Sequence, residues 1–232
     1  MHNLFISEIL KDSGMLSLEQ GMNIYHSLVQ VLLLEIPGDV VELGCCHGLG
    51  AVLIQKTLES FNSKKQLHVY DGFQGLPEKH SKDGNTSASK GACNSNVGIL
   101  TRNFEKYRAK LPKIHEGWFS DTLKTQLPDT ISFAHLDGDF YTSIKESLEE
   151  VYPRLSPGAL VIIDDYCGEE HKENTNNLAK NTFKQKAEPR YLEQLDQFPG
   201  VKQACDEYFK DKPEKVSMLY SGWAPHGYFR KV

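Results

Sequence analysis

Four aspartates stand in two short runs, Asp137 and Asp139 in His-Leu-Asp-Gly-Asp-Phe-Tyr and Asp164 and Asp165 in Val-Ile-Ile-Asp-Asp-Tyr. Each run follows an apolar stretch that reads as a buried strand, so the acids fall where strands end. Carboxylates held so near a core are costly unless they are paired, hydrogen-bonded or bound to a cation. The pattern therefore predicts a metal site at the carboxyl edge of a sheet, where open α/β folds gather their ligands. Adjacent residues on a regular strand face opposite ways, so Asp164 and Asp165 can converge on one ion only if the strand ends there.

A second group of residues points to a ligand beside that edge. Val40-Val-Glu-Leu-Gly-Cys-Cys-His-Gly-Leu-Gly50 puts Glu42, Gly44, Gly48 and Gly50 at a strand-to-helix turn. Missing side chains there let a ligand approach the backbone and the helix N-terminus. The spacing departs from the Gly-x-Gly-x-x-Gly pyrophosphate fingerprint, and Glu42 would repel a diphosphate while accepting an ammonium group. Asp71, ending the next strand in Val-Tyr-Asp-Gly-Phe, occupies the position where an acid accepts ribose hydroxyls. A nucleoside carrying an amino acid satisfies both, which is S-adenosylmethionine. The plainer alternative makes the glycines turn formers and Asp71 a local cap.

The elements that must position these residues follow from apolar periodicity. Met22, Tyr25, Val29 and Leu32 recur at helical spacing within 18–34, closed by Pro37-Gly38. Strands are predicted at 39–44, 67–70, 113–116, 131–136 and 159–163, with helices at 51–61, 97–109 and 143–152. This alternation argues for a parallel sheet covered on both faces. Beyond it, 201–209 reads as a helix, and 216–220 and 228–232 as an antiparallel pair closing the sheet. Residues 72–96 and 167–200 are polar loops long enough to act as lids over the same edge. Residues 1–232 fit one domain, with 1–38 as an N-terminal helical cap.

In their order these blocks resemble a known family. Ile36-Pro-Gly-Asp-Val-Val-Glu-Leu-Gly, Tyr70-Asp-Gly-Phe-Gln-Gly-Leu-Pro, His115-Glu-Gly-Trp-Phe-Ser-Asp-Thr-Leu, His135-Leu-Asp-Gly-Asp-Phe-Tyr and Tyr152-Pro-Arg-Leu-Ser-Pro-Gly-Ala-Leu-Val-Ile-Ile-Asp-Asp-Tyr look like those of the macrocin O-methyltransferases. The resemblance implies a Rossmann-like class I fold with seven strands, the last antiparallel. It also implies an enzyme using S-adenosylmethionine and Mg2+ to methylate a hydroxyl of a sugar or glycan. Carried over, Asp137, Asp164 and Asp165 bind the metal and Asp139 is the general base. Glu42, Gly44 and Gly48 then line the methionine end of the cofactor, Asp71 its ribose, and Gly117 and Trp118 its adenine. Relatives of this kind form dimers or larger homo-oligomers. This chain departs from the pattern at Cys45-Cys46-His47 and in the length of 167–200.

Composition narrows the alternatives. The 232 residues, 39% hydrophobic and 25% charged with a net charge of −5, describe a globular chain with no electrostatic case for nucleic-acid binding. Five cysteines without Cys-x-x-Cys spacing indicate neither a disulfide framework nor a zinc site, and so a reducing, cytoplasmic setting. No stretch is long and apolar enough for membrane insertion. His135 reads as a hydrogen-bonded core residue rather than a catalyst. Two rival functions are an NAD-dependent oxidoreductase, against which Glu42 argues, and a non-catalytic cofactor-binding or scaffold protein, against which the four intact aspartates argue.

Overall fold

The computed structural model describes residues 4–168, 198–221 and 225–232. Most of the loop predicted at 167–200 therefore lies outside the described residues. Seven strands form one sheet: β1 (Asp39–Leu43), β2 (Leu67–Asp71), β3 (Lys113–Glu116), β4 (Ile131–Leu136), β5 (Leu155–Ile163), β6 (Ser217–Leu219) and β7 (His226–Arg230). Their order is β3-β2-β1-β4-β5-β7-β6. The first five pair in parallel, and β7 runs antiparallel to both β5 and β6. The helices are α1 (Leu4–Asp12), α2 (Leu18–Leu33), α3 (Leu49–Ser60), α4 (Val97–Lys106), α5 (Phe119–Gln126), α6 (Tyr141–Val151) and α7 (Pro199–Tyr208).

Alternation along the strands explains the two cores. Val40, Val69, Phe133, Leu160 and Ile162 face α1 to α4, where Ile6, Ile24, Leu28, Leu53, Ile54 and Phe104 are buried. Their neighbours Val41, Tyr70, Ala134, Val161 and Ile163 face α5 to α7, against Leu123, Ile144, Leu148, Val201 and Cys205. A strand apolar at every position must be covered on both sides, and all six residues of β4 are buried. The sheet order reverses direction between β1 and β4, which leaves a crevice at their carboxyl ends.

Two helices escape the sequence pattern, and one strand is longer than its apolar run. Helix α1 is only nine residues long, although it buries Ile6, Ile9 and Leu10 at helical spacing, and α5 buries only Thr122 and Leu123. Strand β5 begins at Leu155 rather than 159, because the Pro157-Gly158 dipeptide sits within the strand, and the pairing with β4 shifts register there. Among the described residues no helix is long and apolar enough to cross a membrane.

Candidate active site

A cavity of about 560 Å³ opens at the crevice, inside the range typical of small-molecule sites. Glu42, Gly44, Asp71, Trp118, Asp137, Asp139, Asp164 and Asp165 all line it. Gly48 and Gly117 stand just behind. Gly48 is the left-handed N-cap of α3, packed against Leu100. The Gly117 N–H donates to the Asp71 carbonyl at 2.9 Å and sets up the turn that presents Trp118. The Trp118 ring then lies over Gly72, next to Asp71.

Gly44 ends β1 where the chain passes closest to β4. A Cβ there would sit 1.8 Å from the Asp137 carbonyl oxygen, and its φ is +86°. The turn that follows is fastened by Asp71, whose Oδ2 accepts the N–H groups of Cys45 at 2.9 Å and Cys46 at 2.7 Å. Its Oδ1 accepts the N–H of Phe73 at 2.7 Å. Asp71 thus shapes the glycine turn as well as facing the cavity, a use the sequence alone does not announce.

Glu42, 1% exposed, lies under this turn. Its Oε1 pairs with His135 Nδ1 at 2.9 Å, and its Oε2 is buried with no hydrogen-bond partner. Burial pushes the Glu42 carboxyl up. Burial alone would lower His135, but Glu42 outweighs it and lifts the imidazole. The orphaned Oε2 is an acceptor suited to an ammonium group at the cavity wall.

The aspartates divide into two sets. One oxygen each from Asp137, Asp139 and Asp165 lies within 4.8 Å of the others. Burial, and then the Asp164 charge, raise Asp137 and Asp165 far above the ordinary carboxylate range and push Asp139 up to about 7. Carboxylate oxygens crowded this closely are hard donors of the kind that could hold a divalent ion. Asp164 belongs to a second cluster with His135 and His226, both buried. Burial would raise Asp164, yet His226, and then His135, hold it below its usual value.

The separation of Asp164 from Asp165 follows from backbone conformation. Strand β5 ends at Ile163 and Asp165 turns left-handed at φ +55°, while Asp139 does the same at +60°. Cys46 and Cys93, also on the cavity wall, have φ of +44° and +58°. Non-glycine residues in this region are strained by about 1–2 kcal/mol each and gather where geometry serves function.

Contributions from the N-terminal segment carry no motif. Asp12, the last residue of α1, and Ser13 to Leu16 after it form one rim. Ser17 and Gln20 build a capping box at the start of α2, and the same Gln20 donates its Nε2 to Asp164 Oδ1 at 3.0 Å. Buried Asp83 reaches from the loop at 72–96 to accept the N–H of Tyr141 at 2.7 Å, pinning the start of α6 two residues beyond Asp139.

The chain is similar to known proteins in sequence and in fold. The chain is 32% identical over 162 residues to the demethyldecarbamoylnovobiocin O-methyltransferase of Streptomyces niveus, covering 66% of this chain and 62% of that one. It is 30% identical over 164 residues to the mycinamicin III 3''-O-methyltransferase of Micromonospora griseorubida, covering 66% and 65%. The chain thus spans less than two thirds of the length of these relatives. Among solved structures, the O-methyltransferase NovP superposes with a TM-score of 0.70 at 24% identity, over 93% of this chain and 81% of that one. The calicheamicin methyltransferase CalS11 gives 0.67 at 17%, over 99% and 91%. These place the fold among class I methyltransferases, and the family model described as macrocin-O-methyltransferase (TylF) matches residues 14–200. The chain belongs to the macrocin O-methyltransferase family.

Proposed function

We propose that this protein transfers the methyl group of S-adenosylmethionine to a hydroxyl of a sugar or glycan, with Mg2+ held at the aspartates. One observation carries the reading: the crowded acids Asp137, Asp139 and Asp165, with Asp164 beside them, share a cavity with Glu42, whose Oε2 is buried with no hydrogen-bond partner among the described residues. An acceptor for an ammonium and a site for a dication then stand in one chamber. The name of a further relative, the 8-demethyl-8-(2,3-dimethoxy-alpha-L-rhamnosyl)-tetracenomycin-C 4'-O-methyltransferase of Streptomyces olivaceus, carries a rhamnosyl group and supports a sugar acceptor.

When bound, the cofactor supplies an electrophilic methyl group and Mg2+ a Lewis acid for neighbouring hydroxyls. Glu42 accepts the cofactor's ammonium group, and Gly44 and Gly48 leave room for its methionine end. Asp71 faces its ribose, while Trp118, on the turn that Gly117 shapes, faces its adenine. Asp137 and Asp165, from the crowded set, and Asp164, from the neighbouring cluster, would hold the metal, which leaves Asp139 of the crowded set as the base. Asp139 takes the proton from the acceptor hydroxyl at its carboxylate. A base whose proton affinity lies near neutrality matches that task, and Asp139 is the acid raised to about 7. The free thiols at Cys45, Cys46, Cys93 and Cys205 suit a reducing cytoplasm.

The test is transfer of a labelled methyl group from S-adenosylmethionine to a panel of glycosides bearing vicinal hydroxyls, with and without Mg2+. Transfer should require the metal, and Asp139→Ala should lower turnover about 10²- to 10⁴-fold while S-adenosylhomocysteine still stabilises the protein. Stabilisation by NAD and not by S-adenosylhomocysteine would overturn the reading.

A further inference from the structure

Beneath the cavity floor lies a buried polar layer that the proposed reaction does not use directly. His226, fully buried on β7, reaches Asp164 because β7 pairs antiparallel with β5, with Ile163 opposite Gly227. Its Nε2 stands 3.0 Å from Asp164 Oδ1, off the line of a straight hydrogen bond. Gln20 Nε2 at 3.0 Å and the Asp165 N–H at 3.1 Å reach the same oxygen. All of these contacts fall on Oδ1, which leaves Oδ2 as the oxygen Asp164 can offer to the cavity it lines.

His135 stands in the same relation to Glu42. It is 1% exposed, bonds Oε1 of Glu42, and lies edge-on to His226 with ring centroids 6.1 Å apart. Again one carboxylate oxygen is occupied and the other, Oε2, is left without a partner. Each histidine therefore makes its nearest acid contact with a different carboxylate, His226 with Asp164 and His135 with Glu42, although His135 also stands within 4.8 Å of Asp164. Imidazoles buried for packing alone would not both be matched to carboxylates, since burying a polar ring beside an acid is favourable only when the two are paired.

We propose that His226 and His135 are positioning residues with divided tasks, His226 orienting Asp164 for the metal and His135 orienting Glu42 for the ammonium group of the cofactor. This inference rests on the metal and cofactor reading above. Groups that orient a metal ligand from behind typically change metal affinity 10- to 100-fold when removed.

The experiment measures binding rather than turnover, on the full chain: Mn2+ by the electron paramagnetic resonance signal of the free ion, and S-adenosylhomocysteine by calorimetry. His226→Phe fills the space without an N–H donor, and His226→Gln keeps a donor. The phenylalanine variant should weaken Mn2+ about 10- to 100-fold and S-adenosylhomocysteine by less than about threefold, with the glutamine variant recovering most of the Mn2+ affinity. His135→Phe should show the opposite split. Thermal midpoints identify variants that have lost their fold, and the glutamine variants keep the test available if a phenylalanine is not tolerated. Equal loss of both ligands in both phenylalanine variants, or no recovery by glutamine, would overturn the division of tasks while leaving the reaction standing. A wild-type protein that binds S-adenosylhomocysteine but no Mn2+ would overturn the metal reading and the role of His226 with it.

Discussion

Replacing Gly44 by alanine tests whether the glycine turn is there for close approach of β1 to β4. The added Cβ would lie 1.8 Å from the Asp137 carbonyl oxygen, where real Cβ atoms essentially never come closer than 3.0 Å. The strand ends must therefore part by more than an ångström. One bond spans them there now, Asp137 N–H to Leu43 O at 2.8 Å. Losing it, at about 0.5–1.5 kcal/mol, and forcing alanine to positive φ, at about 1–2 kcal/mol, together predict a destabilisation of about 1.5–3.5 kcal/mol. The control is Gly91→Ala, whose φ is +80° but whose Cβ would meet nothing within 4 Å. It should lose only the conformational part, about 1–2 kcal/mol. Urea unfolding followed by circular dichroism gives both values. Methyl transfer should fall at least about 100-fold in Gly44→Ala, since an ångström of misplacement has that effect. If the two variants unfold at the same urea concentration, the close approach is not what the glycine serves.

Two further perturbations probe other parts of the site. Asp137, Asp139 and Asp165 hold their protons more tightly when folded than when unfolded, the reverse of a salt-bridged acid. The metal-free protein should therefore lose stability as pH rises from the ordinary carboxylate range through about 7, where Asp139 ionises. Mg2+ should raise the thermal midpoint more at pH 8 than at pH 5, and a pH-independent shift would contradict the cluster as its site. Asp83→Ala removes acceptors from the His80 and Tyr141 N–H groups and should destabilise by about 1–3 kcal/mol. It should also lower kcat, because α6 begins two residues after Asp139; stability within 0.5 kcal/mol of wild type and an unchanged kcat would refute the pinning role.

What could be read from the chain depended on how local its causes are. β3 and β4 fall at their predicted bounds, and β1, β2 and the main helices differ by no more than a few residues. Continuous apolar runs and 3.6-residue spacing are properties of neighbouring residues. The pairing of β7 with β5 places its partners two residues earlier than the apolar pattern implies, because β7 begins at buried His226 rather than at Tyr228. The resemblance of five spaced blocks placed the candidate residues around one cavity, apart from Gly48 and Gly117, which shape its wall from behind. It gave no hint of Gln20, Asp83 or His226. Each acts across 58 or more residues of chain, and no short motif encodes a contact made only when a distant strand or loop is in place.

The division among the aspartates is likewise a tertiary property. In sequence Asp164 and Asp165 are equivalent neighbours, yet one lies behind the sheet edge with two imidazoles and a carboxamide, and the other in front with two more acids. Asp164 is held ionised by His226 and His135, so it keeps its charge through a pH range in which Asp137 and Asp165 favour their protons. A fixed negative charge at that point raises the proton affinity of every acid before it, and it raises their affinity for a dication by the same Coulombic argument. The buried histidines therefore do not neutralise the site as a whole. They favour the charged form of one carboxylate beside three acids that hold their protons tightly. On the proposed reading a dication at Asp137 and Asp165 would have to compete with protons, and its charge would lower the proton affinity of Asp139 beside it.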